Sequence, residues 1–81
     1  MEEIDIIDMS SKERLAVIES LEESTVLCDE EETFIIFPKK DLILQVCSWR
    51  FDTEYYELTI DELKQRLKED IKDEEKDEVK E

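Results

Sequence analysis

The chemistry open to this chain is limited first by its lack of histidine. Histidine is the usual general base and the commonest metal ligand in proteins, so neither a Ser-His nor a Cys-His nucleophilic pair can form. Two carboxylates can act as acid and base in glycoside hydrolysis, but that chemistry needs a cleft, for which 81 residues leave little room. Glycine is also absent, and phosphate-cradling loops depend on it. We therefore expect no enzymatic activity and no catalytic residues.

The remaining residues with metal or redox chemistry are two cysteines and one run of acids. Cys28 and Cys47 do not form a C-x-x-C pair, and two thiols without histidine cannot close a typical zinc site. Asp29–Glu32 lacks the alternating spacing and the glycine of an EF-hand calcium loop. We expect small buried thiols, a solvated acidic turn, no metal and no cofactor. A disulfide would be conceivable only if the strands that carry the two cysteines were neighbours.

The charge of the chain is strongly negative and unevenly distributed. The net charge is −15, and residues 1–32 hold twelve acids against Lys12 and Arg14, a net charge of −10. Residues 33–58 are close to neutral, at −1, and they include all six aromatic residues. Such a protein repels nucleic acid and anionic lipid and attracts basic surfaces. We therefore expect a basic protein as its partner, with no direct contact to nucleic acid or membrane.

Two capping boxes predict the helices that must position these residues. Ser10-Ser11-Lys12-Glu13 has the S-x-x-E form and starts a helix that we expect to run to Glu23. Thr59-Ile60-Asp61-Glu62 has the related T-x-x-E form and starts a second helix. Its narrow apolar stripe consists of Ile60, Leu63, Leu67 and Ile71.

Between the helices, short runs rich in β-branched and aromatic residues predict strands. The expected strands are Thr25–Cys28, Phe34–Phe37, Leu42 to about Phe51, and Glu54–Leu58. Pro38–Asp41 is expected to be a turn, with Pro38 setting the backbone at its start. Residues 1–8 could form an edge strand through Ile4 and Ile6, or an arm that packs through Ile4 and Ile7.

These elements predict one small α+β domain over residues 1–72. Its order is a helix, a three- or four-stranded antiparallel sheet and a second helix. Residues 73–81 are expected to be a charged, disordered tail, because Val79 is their only apolar residue. The acidic start, Met1-Glu2-Glu3, does not resemble a signal peptide, and no apolar run is long enough to span a membrane. We therefore expect a cytoplasmic location.

The third predicted strand has two apolar faces, which leaves the coverage of the sheet open. Leu42, Leu44 and Val46 point to one side, and Ile43, Cys47 and Trp49 point to the other. Either a helix covers each face, or one face is available to a partner.

The first functional hypothesis is a small acidic inhibitor that mimics nucleic acid and blocks the basic site of a nucleic-acid-binding protein. Its contact residues would be carboxylates of the first helix and the acidic loop: Glu13, Glu19, Glu22, Glu23, Asp29, Glu30, Glu31 and Glu32. In size and charge, the chain is similar to small phage-encoded anti-defence inhibitors, including some anti-CRISPR proteins. That similarity implies the cytoplasm of the infected host as the location.

The second hypothesis is a protein–protein interaction module, such as an immunity protein, an antitoxin-like partner or an adaptor. It would bind through an exposed sheet face, for which the sequence suggests Ile43, Cys47, Trp49 and Tyr55. Aromatic residues are favoured anchors of protein interfaces. The chain would be a monomer or a homodimer.

Overall fold

The computed structural model describes residues 1–48 and 50–79 of the chain, with side chains to Glu74 except Trp49. It contains two helices, five strands and one short 3-10 turn. The elements are β1 (Glu2–Asp5), α1 (Ser11–Ser20), β2 (Thr25–Cys28), β3 (Glu32–Phe37), the 3-10 turn (Pro38–Lys40), β4 (Leu42–Ser48), β5 (Thr53–Leu58) and α2 (Ile60–Val79).

Both predicted capping boxes are present. The Ser10 hydroxyl accepts a hydrogen bond from the Glu13 backbone N–H at 3.2 Å, and the Glu13 carboxylate accepts one from the Ser10 N–H at 3.4 Å. Thr59 and Glu62 make the same reciprocal pair at 3.2 and 3.4 Å. Helix α1 ends at Ser20, three residues earlier than expected, because Leu21 already has an extended backbone.

The five strands form one sheet in the order β1-β2-β3-β4-β5. Strands β2 to β5 are an antiparallel meander, as predicted, whereas β1 pairs in parallel with β2. The sheet is therefore five-stranded and mixed, and the expectation of an all-antiparallel sheet was wrong in this respect. A parallel neighbour needs a crossover connection, which α1 provides. Ile6 is buried at 2% exposure and Ile7 is 46% exposed, so the first segment packs as an edge strand and not as an arm through Ile7.

The turn between β3 and β4 also anchors the second helix. Asp41 has a left-handed backbone with φ of 50°, a conformation that aspartate tolerates better than most residues. Its carboxylate accepts a hydrogen bond from the Ile60 N–H at 3.1 Å. The first turn of α2 is thereby tied to the end of the sheet from which β4 starts.

Both helices pack on the same face of the sheet. Buried sheet residues Leu27, Phe34, Ile36, Ile43 and Leu58 form one core cluster with Ile6 and with the helical residues Ile18, Leu63 and Leu67. The helices are antiparallel neighbours, and the Ser11 hydroxyl near the start of α1 bonds the Glu74 carboxylate in α2 at 3.3 Å. Of the apolar stripe predicted for α2, Leu63 and Leu67 are thus buried in the core, and Ile60 packs against it.

The predicted tail begins within α2. The helix continues to Val79, beyond the domain boundary expected at residue 72, whereas Lys80 and Glu81 lie outside the described residues. The disorder expected for residues 73–81 stays a prediction.

Candidate protein-binding face

One face of the sheet carries no helix from the described part of the chain. Because side chains alternate between the two faces along a strand, this face carries the residues whose side chains point away from the core. Its apolar centre, on β2 to β4, consists of Val26, Ile35, Phe37, Leu42, Leu44 and Val46, all of them half-buried. We call this side of the sheet the open face. The centre covers three strands about 4.8 Å apart, which gives an apolar patch of roughly 300 Å². On a monomeric protein, the largest patch of this kind is often functional.

Acidic residues border the apolar centre on both outer strands. One cross-strand row runs from Glu3 on β1 through Val26, Ile35 and Leu44 to Glu57 on β5. Both glutamates are exposed. In the next row, Asp5 on β1 is exposed, and Tyr55 on β5 is 72% exposed. We call Glu3, Asp5 and Glu57 the acidic edges of the open face.

The structure places the predicted sheet-face residues on different sides of the sheet. Ile43 is fully buried and Cys47 is 9% exposed, and both lie under the helices, so neither can contribute to an exposed interface. Tyr55 lies on the open face, and Trp49 lies outside the described residues. The exposed side of β4 is therefore the one that carries Leu42, Leu44 and Val46. The alternation showed both sets of residues, but it contains no information about which set the helices cover.

A small polar cluster lies at the covered side of β4. The buried amide of Gln45 accepts a hydrogen bond from the Arg66 guanidinium at 3.3 Å and donates one to the Cys47 sulfur at 3.5 Å. Burial raises the pKa of the Cys47 thiol, and the negative charge of nearby Glu32 raises it further. A protonated thiol is a poor nucleophile. The raised pKa therefore makes Cys47 a weak nucleophile near neutral pH, and Gln45 links it to Arg66 on α2.

The two cysteines cannot form a disulfide with each other. Cys28 lies on the open face of β2, whereas Cys47 lies on the covered face of β4, and β3 separates the two strands. Both thiols are free. The neighbouring strands that a disulfide would require are therefore not present.

Arg14 holds the acidic loop against the first helix. Its guanidinium bonds both carboxylate oxygens of Asp29, at 3.0 and 3.3 Å, and the carbonyl oxygens of Ile6 and Met9 at 2.9 and 3.2 Å. The two paired side chains are 23% and 20% exposed. Asp29 is thus neutralised by an internal partner and is a poor candidate for contact with a basic protein.

The other carboxylates of the acidic-surface hypothesis are divided between the two ends of the sheet. Glu30 and Glu31 are exposed at the β2–β3 turn, and Glu13 and Glu32 lie at that same end. Glu22 and Glu23 are exposed before β2 begins, and an extended strand separates Glu23 from Glu30 by roughly 20 Å. Glu19 lies in the last turn of α1, towards this second end. The eight residues therefore do not form one continuous patch.

Among the side chains that the structure describes, in residues 1–48 and 50–74, no group of three or more His, Cys, Asp or Glu is arranged to hold a metal ion. No helix in that part of the chain combines the length and the apolar character needed to cross a membrane. Comparisons with protein-family models, with curated proteins and with solved structures found no match to this chain.

Proposed function

We propose that this protein is an interaction module that binds another protein through the open face of its sheet. The observation that supports the proposal is the unequal coverage of the sheet, with both helices on one side and an apolar centre on the other. Helix and sheet faces that are apolar are normally buried against another layer. A partner would supply that layer and bury the centre, with no chemistry by the module itself.

A capture experiment with two matched variants tests this function. The immobilised wild-type chain, Leu44→Lys and Gln65→Lys are each incubated with a lysate of the cell in which the protein occurs. Both substitutions add one positive charge, but Leu44 is in the apolar centre, whereas Gln65 is exposed on α2. We expect a protein that the wild type and Gln65→Lys retain and Leu44→Lys loses. Identical captured proteins for all three chains would contradict the proposal.

Mimicry of nucleic acid is a second candidate function, and the grouping of acids at one end of the sheet favours it. Glu13, Glu30, Glu31 and Glu32 lie at the end where β2 stops and β3 starts. The exposed pair, Glu30 and Glu31, would contact the basic groove of a nucleic-acid-binding protein. The affinity of this chain for such a protein would fall steeply as salt is added.

Competition with DNA separates the two functions. If the captured protein binds DNA, mimicry predicts that saturating wild-type chain releases it from DNA and that Glu30→Lys with Glu31→Lys abolishes the release. Unchanged DNA binding in the presence of saturating chain would exclude mimicry and leave the open-face function in place.

A further inference from the structure

The acidic edges of the open face restrict what can bind there. Glu3 and Glu57 are in the same cross-strand row, four strand spacings apart, which is about 19 Å. Between them, the row is apolar across β2, β3 and β4. A partner that covers the row must bury apolar surface in the middle and meet carboxylates on both sides.

We propose that the open face binds an amphipathic α-helix of a partner protein, with Lys or Arg residues on both sides of its apolar stripe. An α-helix with its side chains is about 10–12 Å wide, so one helix laid along β3 fills the apolar centre. About 4 Å then remains on each side, which a lysine or arginine side chain spans to reach the acidic edges. This inference rests on the proposed function, because it requires that a protein binds the open face.

Two alternative occupants fit the open face less well. A partner sheet would be about as wide as this one and would place apolar side chains against Glu3, Asp5 and Glu57, leaving carboxylates partly buried without a cation. A second copy of the chain would bring acidic edges against acidic edges. Like charges at such close range oppose association.

The test uses the 81-residue chain and three helical peptides of about 18 residues, or roughly five turns. The peptides share one leucine stripe and carry Lys, Gln or Glu at the positions beside it. Peptide affinity is measured by fluorescence anisotropy, and coverage of the open face is measured as protection of the Cys28 thiol from alkylation. Cys28 lies on the open face of β2, in the row that ends at Asp5.

We expect the Lys peptide to bind most tightly, to protect Cys28 and to lose affinity with salt. Neutralising the acidic edges with Glu3→Gln, Asp5→Asn and Glu57→Gln should weaken its binding roughly tenfold. The control is the exposed helical set Glu19→Gln, Glu69→Gln and Asp70→Asn, which removes the same charge from the other side of the molecule. This control should leave the affinity within about twofold.

Several results would overturn the inference. Equal weakening by the edge and control variants would mean that the peptide responds to net charge alone. Equal affinity of the Lys and Gln peptides would exclude basic flanks. A dimer at physiological salt that Leu44→Lys disrupts would assign the open face to a second copy. A further result of this kind is that the protein lost by Leu44→Lys in the capture experiment protects Cys28, whereas none of the three peptides protects it. In that case the occupant is not a basic helix, but the proposed function stands.

Discussion

At the scale of single residues, the most connected side chain is Arg14. In the sequence, Arg14 falls on the same side of the first helix as Leu15 and Ile18, which suggests only that its stem runs along the core edge. In the structure, its guanidinium ties α1 to three segments, namely Met9 just before the helix, Ile6 just after β1 and Asp29 after β2. A planar group with five donors suits such a site, and a lysine cannot reproduce it.

Replacing Arg14 by methionine should lower the free energy of unfolding by about 1–3 kcal/mol, because Asp29 loses its charged partner and the carbonyl groups of Ile6 and Met9 lose the guanidinium donors. Urea denaturation followed by circular dichroism measures the change. Arg14→Lys should recover less than half of the loss. The control is Lys68→Met on the exposed side of α2, and an equal effect of the control would contradict the structural role of Arg14.

The Cys47 thiol should make stability depend on alkaline pH. Burial and Glu32 raise its folded pKa above the ordinary value of about 9.0, so the unfolded chain releases the proton first as the pH rises. The stabilising contribution is complete below pH 9 and is lost as the pH rises towards the folded pKa. We expect a smaller alkaline decline in Cys47→Ala than in the wild type, measured by urea denaturation between pH 7 and about 10. Parallel declines in the two proteins would refute this.

At the scale of elements, neighbouring residues of strand β4 lie on opposite faces of the sheet. Ile43 packs under the helices, and its neighbour Leu44 lies on the open face. The two side chains have similar size and chemistry, and the strand turns each to a different environment. We therefore expect Ile43 to contribute mainly to stability and Leu44 mainly to binding.

Alanine substitution at each position should show this division. Ile43→Ala is expected to cost about 2–5 kcal/mol of unfolding free energy, as for other buried aliphatic residues. Leu44→Ala should cost about 1 kcal/mol or less, because its side chain is half-buried and has no layer above it. Urea denaturation compares the two variants. Similar losses at both positions would show that the open face is covered in solution.

At the scale of the whole molecule, net charge and the open face act in opposite directions. The apolar centre favours association of two copies, whereas a net charge of −15 and the acidic edges oppose it. Salt weakens the repulsion, because the Debye length falls from about 10 Å at 0.1 M to about 3 Å at 1 M. Apolar attraction is not screened in this way.

The chain should therefore be monomeric at physiological salt and should begin to self-associate at about 1 M salt. Sedimentation velocity at both salt concentrations measures the change. Leu44→Lys should remain monomeric throughout, and Gln65→Lys, which adds the same charge on α2, should behave like the wild type. Association that weakens with salt would mean that opposite charges, and not the apolar centre, bring copies together.

The amino-acid sequence by itself determined those features that depend on neighbours a few residues apart. The two capping boxes, a turn at Pro38–Asp41 and strands β2 to β5 were all predicted, because hydrogen-bonding side chains, proline and β-branched runs act locally. The ends were less accurate, as with α1, which stops at Ser20. The alternation along β4 also predicted two apolar faces.

Only the tertiary structure decided which of these faces is covered. The parallel pairing of β1 joins residues far apart in the chain through α1, and four residues of weak alternation do not specify that partner. Both helices then pack on the Ile43 side, which buries Ile43 and Cys47 and leaves Leu44 and Val46 on the open face. Helix placement depends on the connections and on the summed packing of the core. The alternation of apolar residues along one strand is the same whichever face the helices cover.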